Sequence, residues 1–284
     1  YLVLRDIFPQ NAVDLGMMRK GGILYRYFRK KEKALYKVSD YIGCMSQENM
    51  DYIARHNPEV DRKKLHLLPN WGVKNELLSE EEVKKVRQKY ELGDRFVLMF
   101  GGNIGKPQKM ENIVALAEAC SDYPDILFLI IGGGVEKDRL ERMVKGKGLK
   151  NMWVWDYLSR KGFFEALQAA DAGLISLSEA FTIPNYPSKT VTYFNAKKPV
   201  LAAIDLNTDY GKDLERIGAG LWAHATDTDA LKKKLLTLYQ NADVRKNMGE
   251  KGYQYMIEEL QSVKAYQNLT DFVEKQGFKI KGVD

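Results

Sequence analysis

From about residue 79 to residue 223, apolar runs of strand length alternate with stretches in which apolar residues recur every three or four positions. The strand-like runs are RFVLMFGG, DILFLIIGGG, MWVWDY, AGLISL, PVLAAI and AGLWA. The helical stretches are EEEVKKVRQKYEL, MENIVALAEACSDY, VEKDRLERMVKGKGL and KGFFEALQAAD, with further segments over 188–196 and near 211–217. Strands that are apolar throughout belong to parallel sheets covered on both faces. The repeated unit predicts an α/β, Rossmann-like domain with helices on both sides of a parallel sheet. The longest apolar run, 126–131, is far short of the roughly 18–20 residues that a membrane span requires.

The first seventy residues read as strand, helix, strand, helix, strand. YLVLRDIF ends at Pro9, GILYRYFRKKEKALYKVSD has helical periodicity, and YIGCM is a short strand. SQENMDYIARH starts a helix with Ser46 as N-cap, and LHLLPN is stopped by Pro69. Residues 71–78 have the composition of a linker. The regular domain then covers 79–256. Helical patterns fill 227–240 and 241–277, and the last stretch, 257–284, is expected to pack back on the N-terminal part.

Composition narrows the class. Of 284 residues 45% are hydrophobic and 29% charged, ordinary for a globular protein. The chain opens with YLVLRD, without an initiator Met or a basic leader, and is expected to be a fragment, a proteolysed product or one part of a split protein. Two cysteines, Cys44 and Cys120, argue for a reducing compartment rather than a disulfide framework. His56, His66 and His224 stand apart from any cysteine or carboxylate at ligand spacing, so no metal site is expected. The net charge of +6 is uneven: residues 19–37 hold Arg19, Lys20, Arg26, Arg29, Lys30, Lys31, Lys33 and Lys37 against Glu32 alone, interleaved with Tyr25, Tyr27, Phe28 and Tyr36. This segment fits a solvated amphipathic helix with Leu24, Phe28, Leu35 and Val38 inward, or contact with an anionic membrane surface. Nucleic acid is the least favoured partner.

Open parallel sheets bind ligands at the carboxyl ends of their strands, which selects five loops. Gly101-Gly102-Asn103-Ile104-Gly105-Lys106-Pro107-Gln108-Lys109 offers backbone N–H groups and lysines to an anion, although it matches neither a dinucleotide fingerprint nor a P-loop. Gly132-Gly133-Gly134 cradles a ligand or simply permits a tight turn. Asp156-Tyr157 suits a nucleobase, or is a cap with core aromatics. Residues 178–188 lead into Ser188-Lys189 at a helix start, a plausible diphosphate site. Residues 205–209 fit a helix cap and nothing more. Asp227-Thr228-Asp229 spells a metal motif but precedes ALKKKLL and reads as a cap.

Together these segments resemble a known family. FGGNIGKPQKMENIVALAEA, the stretch from FLIIGGG to AGLISL, and YPSKTVTYFNAKKPVLAA look like the donor domain of a retaining family 4 glycosyltransferase of GT-B fold. The likeness is to the bacterial capsule, lipopolysaccharide and exopolysaccharide branch. RDIFPQNAVDLG and CMSQENMDYI…HLLPNWG look like the end of its acceptor-side domain and hinge, so residues 1–70 are expected to be a partial acceptor-side α/β domain. The resemblance implies roles. Asn103 sits where many relatives carry a phosphate-binding Arg and Gln108 where they carry Lys, with Lys106 restoring the charge. Lys106, Gln108 and Lys189 form the expected catalytic set. Gly102, Asn103, Gly133, Asp156, Tyr157, Ser188 and Thr192 are expected at the donor, and Arg5 and Asp6 on the acceptor side. The family's paired glutamates are altered: the first falls near Pro184, and the second on Thr192, which has no carboxylate for ribose hydroxyls.

The implied activity is transfer of a sugar from a nucleoside-diphosphate sugar, UDP-linked, to a glycan or lipid-linked acceptor, with retention and without a metal or other cofactor. The cellular setting implied is cytoplasmic, peripheral at the inner face of the cytoplasmic membrane, with residues 19–37 as the contact. A missing N-terminal polypeptide is a further expected partner. The alternatives are a non-catalytic nucleotide-sugar-binding or partner subunit, and a sugar-nucleotide epimerase of related fold.

Overall fold

The computed structural model describes residues 1–278, which form two parallel sheets with helices around them. The first sheet has the order β1-β2-β3, from Leu2–Val3, Ile42–Cys44 and Leu65–Leu67. Around it lie α1 (Gln10–Asp14), α2 (Ile23–Val38) and α3 (Gln47–His56). The second sheet has six strands: β4 (Phe96–Asn103), β5 (Ile126–Gly133), β6 (Met152–Trp155), β7 (Ala172–Ser176), β8 (Val200–Ile204) and β9 (Gly220–His224). Its helices are α4 (Glu80–Lys89), α5 (Met110–Ala119), α6 (Lys137–Lys147), α7 (Arg160–Ala169), α8 (Lys189–Asn195), α9 (Tyr210–Ile217) and α10 (Thr228–Gln240). Two more, α11 (Ala242–Glu259) and α12 (Ser262–Lys275), end the described chain.

The larger sheet runs in the order β6-β5-β4-β7-β8-β9, every pair parallel. The chain winds outward from β4 in one direction, then returns to start beside β4 with β7. The β4/β7 junction is therefore the switch point, where diverging helices leave a crevice beyond the strand ends. Side chains from the two faces form separate apolar layers, Val97, Met99, Leu127 and Leu129 on one and Leu98, Phe100, Phe128 and Ile130 on the other. Local signals fix the helix ends. Ser79 and Glu82 make a reciprocal capping box on α4, with Glu80, Glu81 and Glu82 in its first turn and Arg87 and Lys89 in its last.

Three expectations are corrected. The apolar run at the start is a strand only at Leu2–Val3, which pair with Ile42 and Gly43; after the bond from the Leu4 N–H to the Gly43 carbonyl (2.9 Å) the chain leaves the sheet and turns into α1 beyond Pro9. The helical pattern over 241–277 breaks at Leu260–Gln261. There Gly72 donates its N–H to the Leu260 carbonyl (2.9 Å), and Ser262 donates to the Gly72 carbonyl (2.9 Å). Gly72 can come this close because it has no side chain: a Cβ there would lie 2.8 Å from Val191 Cγ1. The third correction is to α2, whose Leu24, Leu35 and Val38 face solvent, whereas Tyr36 is buried. Phe28, half-buried, packs edge-on against Phe8.

Residues 71–78 lie along the larger domain, with Asn195 Nδ2 donating to the Val73 carbonyl (2.7 Å) and Leu78 N–H to Gln168 Oε1 (2.7 Å). Helix α12 crosses to the smaller sheet: the Phe272 ring stacks on His66 at 3.9 Å, and His66 Nε2 lies 3.1 Å from Asn268 Oδ1. Residues 279–284 of the expected C-terminal helix lie outside the described residues.

Candidate functional site

A cavity of about 470 Å³ opens between the two units at the carboxyl ends of β4 and β7. Arg5, Asp6 and Trp71 come from the N-terminal side and its hinge; Gln108, Ser188 and Lys189 come from the larger domain. Five sequence-predicted residues, Arg5, Asp6, Gln108, Ser188 and Lys189, thus meet at one place although they are up to 184 positions apart (189 − 5).

Lys189 is the electrostatic centre of this wall. Its ammonium lies 5.0 Å from the centre of the Phe100 ring and makes no hydrogen bond or ion pair with a carboxylate among the described residues. Burial alone pulls its pKa below the ordinary lysine value. An ammonium withdrawn from water without a counter-charge is costly, and an anion entering the cavity would relieve that cost. The side chain runs beneath the glycine loop: a Cβ at Gly102, whose φ is +114°, would stand 3.2 Å from Lys189 Cε. Glycine here lets the lysine reach the cavity.

Opposite, the Arg5 guanidinium stacks 4.5 Å over the Trp71 ring and donates from Nη1 to the Leu68 carbonyl (2.8 Å). Asp6, exposed at the rim, is a carboxylate without a partner among the described residues. Two cations and one carboxylate therefore face the space.

The glycine-rich loop is ordered by Gln108, whose Oε1 accepts from the Gly105 N–H (3.0 Å) and from Asn103 Nδ2 (3.5 Å). Gln108 lines the cavity while spending this oxygen on the loop. Lys106 is exposed and does not line the cavity, and Lys109 is engaged with Glu179 at 2.9 Å, so neither adds charge to the wall. Asn103 is exposed and does not line the cavity.

The remaining expected donor residues stand elsewhere. Tyr157 lies across Gly133 and donates its hydroxyl to the Gly133 carbonyl (2.9 Å), while Asp156 points to solvent and pairs with Lys137. Neither these residues nor Thr192 lines the cavity. Helix α8 has seven residues, and Ser188 sits at its start without capping it, leaving its hydroxyl free beside the cavity.

The loop over 178–188 is held by side chains from both units, none of them expected to reach it. Thr182 donates its N–H to Asp14 Oδ2 (2.8 Å), Asn49 Nδ2 donates to the Pro184 carbonyl (2.5 Å), and Asn70 Nδ2 to the Tyr186 carbonyl (3.2 Å). From the other side, Asn207 Nδ2 donates to the Phe181 carbonyl (2.5 Å) and Thr208 Oγ1 to the Asn185 carbonyl (2.6 Å). These partners are at least 23 positions away in sequence (208 − 185), and no local spacing reveals them. Asp227 caps α10 by accepting from the Ala230 N–H (2.9 Å).

Comparison with known proteins adds the following. The family described as Glycosyl transferases group 1 matches residues 82–255. A Pseudomonas aeruginosa protein carrying the name glycosyltransferase WbjE is 25% identical over 81% of this chain and 57% of its own length. WcaI of Escherichia coli strain K12, named for colanic acid biosynthesis glycosyl transfer, is 24% identical over 74% of this chain and 52% of its own. The chain thus spans little more than half the length of these relatives. Among solved structures, Anabaena HepE in complex with UDP and glucose superposes with a TM-score of 0.78 at 14% identity, covering 96% of this chain and 70% of that one. WaaG, a glycosyltransferase involved in lipopolysaccharide biosynthesis, gives 0.73 at 15% identity over 94% and 73%. The fold is GT-B.

Proposed function

We propose a function from one premise: the chain belongs to the glycosyl transferases group 1 family. It moves a sugar from a nucleoside-diphosphate sugar, UDP-linked, to a glycan or lipid-linked acceptor of surface polysaccharide, with retention at the anomeric carbon and without a metal. The acceptor hydroxyl attacks the face from which the diphosphate departs. Lys189 and the Ser188 hydroxyl hold the departing diphosphate, with Gln108 ordering the glycine-rich loop beside them, and preorganised donors of this kind supply the largest electrostatic contribution to such a transfer. Gly102 and Asn103 approach the donor phosphates, Gly133, Asp156 and Tyr157 the base, and Thr192 the ribose. Arg5 and Asp6 meet the acceptor. The reaction is cytoplasmic, and a lipid-linked acceptor brings residues 19–37 to the inner face of the cytoplasmic membrane.

The observation that carries this reading is the unpaired, desolvated ammonium of Lys189 facing a cavity of about 470 Å³ at the switch point of the sheet. UDP should raise the melting temperature of the chain, by about 2.7 kcal/mol of stability at a hundredfold excess over its dissociation constant. Lys189→Ala should abolish most of that gain, and an unchanged shift in the variant would put the site elsewhere.

A second reading, a nucleotide-sugar-binding partner subunit without activity of its own, is favoured by Thr192 in place of a carboxylate. Donor hydrolysis by this chain alone, against hydrolysis only when an N-terminal partner polypeptide is supplied, separates the two.

A further inference from the structure

Lys109 is held in a backbone conformation that favours glycine. It stands between the single-turn helix Lys106–Gln108 and α5 with φ +41° and ψ +65°, in the left-handed region, where a side chain is costly. Among the described residues two other non-glycine residues share that region, Glu91 and Lys197. Each of those follows a helix, where a left-handed residue is an ordinary stop. Lys109 directly precedes α5, and its side chain makes no capping hydrogen bond. Its ammonium pairs instead with Glu179 Oε1 at 2.9 Å, across the gap between the glycine-rich loop and the 178–188 loop. Beside the pair, the Ser178 N–H donates to the Pro107 carbonyl (2.9 Å) and Ser176 Oγ to the Lys109 carbonyl (3.4 Å). The two loops line the cavity with Pro107 and Gln108 from one and Phe181 and Ser188 from the other.

None of this favours the fold. An ion pair between two partly exposed side chains adds little stability, the backbone of Lys109 is strained, and Glu179 Oε2 is buried without a partner. Strain kept beside a ligand site points to preorganisation. We propose that Lys109 and Glu179 are a positioning pair for the donor. By tying the end of the glycine-rich loop to the 178–188 loop, they hold Gln108 against the Gly105 N–H (3.0 Å) and fix the spacing of the two walls before a diphosphate enters. This rests on the donor reading above and adds two residues to it. Neither side chain lines the cavity; both act through Gln108 and Ser178.

The test is the double variant K109G/E179Q in the whole chain. It removes one positive and one negative charge, so the net charge beside the cavity is unchanged and a loss of affinity is not Coulombic. Glycine also adopts the left-handed conformation without strain, and no unpaired charge is left behind, so the urea midpoint should be no lower than that of the wild type. The dissociation constant for UDP, measured calorimetrically, should nevertheless rise about tenfold, because the ligand must now order the loops itself. Without ligand, hydrogen exchange at the Gly105 and Ser178 amides should accelerate about tenfold, while Met99 in β4 keeps its protection. K109R, which keeps the pair, should bind UDP as the wild type does. Wild-type affinity in the double variant overturns the proposal, and so does weaker binding accompanied by a clearly lower midpoint, which makes the pair a support of the fold. Wild-type exchange at Gly105 and Ser178 overturns it whether or not UDP binds. A wild-type chain with no UDP-induced melting shift sinks the donor reading and this role with it, whereas equal shifts in both chains sink this role alone.

Discussion

Asp209 accepts the backbone N–H of Glu48 at 3.0 Å, so a carboxylate that precedes α9 caps α3 in the other unit. It makes no side-chain cap on its own helix, where the local cap expected in residues 205–209 is Thr208, whose Oγ1 accepts the N–H of Tyr210 at 3.2 Å. Asn49, one position on, holds the Pro184 carbonyl of the cavity loop. The start of α3 is thus joined to both cavity-side loops. Asp209→Ala should cost about 1 kcal/mol in a urea titration, the usual worth of an N-cap. The loss is reduced because Oδ1 of the same carboxylate is buried without a partner. Asn49→Ala should cost about 1–3 kcal/mol, since it leaves a buried carbonyl unpaired. It should also weaken UDP, by letting the 178–188 loop move. Identical denaturation midpoints for wild type and both variants would show that these bonds contribute nothing to closure.

Lys189→Met should act in opposite directions on stability and binding. Burial lowers the lysine pKa, so the folded chain holds this proton less tightly than the unfolded chain does. Replacing the ammonium with an apolar side chain of similar length should raise the melting temperature of the unliganded protein while removing its response to UDP. Loss of both would mean that the lysine supports the fold rather than the ligand.

Asp205 gives a pH signature. Burial raises its pKa from 3.8 to about 6, and Oδ2 has no partner, although Oδ1 accepts the Asn207 N–H at 2.7 Å. The folded chain therefore binds this proton more tightly than the unfolded one. Its contribution to stability is fully present below pH 3.8 and is lost as pH rises through about 6. Asp205→Asn should be more stable than wild type at pH 7 by roughly 3 kcal/mol, from about 1.4 kcal/mol per pKa unit over the shift from 3.8 to about 6. The gain should vanish near pH 4. A pH-independent difference in melting temperature would reject this assignment.

Chelation should leave UDP binding and sugar transfer unchanged. Among the described residues no group of three or more His, Cys, Asp or Glu side chains is placed to hold a metal ion. Binding measured calorimetrically before and after EDTA checks this, and recovery of lost binding on adding Mg²⁺ or Mn²⁺ would contradict the metal-free mechanism.

The sequence by itself determined the elements of the larger domain. Runs such as ILFLII can be buried on both faces only in a parallel sheet, and Ser79 with Glu82, or Asp227 with Ala230, fixes helix starts through bonds spanning three residues. It also located the strand-end loops, because crossover connections place them on one edge of the sheet. Tertiary structure decided the rest. Local spacing could not tell that Lys109 is spent on Glu179 while Lys189 stays unpaired, that Tyr157 covers Gly133, or that Asp209 caps a distant helix. Nor could periodicity tell which side of α2 faces outward: it reports that apolar residues share a stripe, not what stands opposite. A helical repeat is set by backbone geometry within a turn or two, whereas a side chain's charge partner and solvent exposure are set by whichever segments the fold brings beside it.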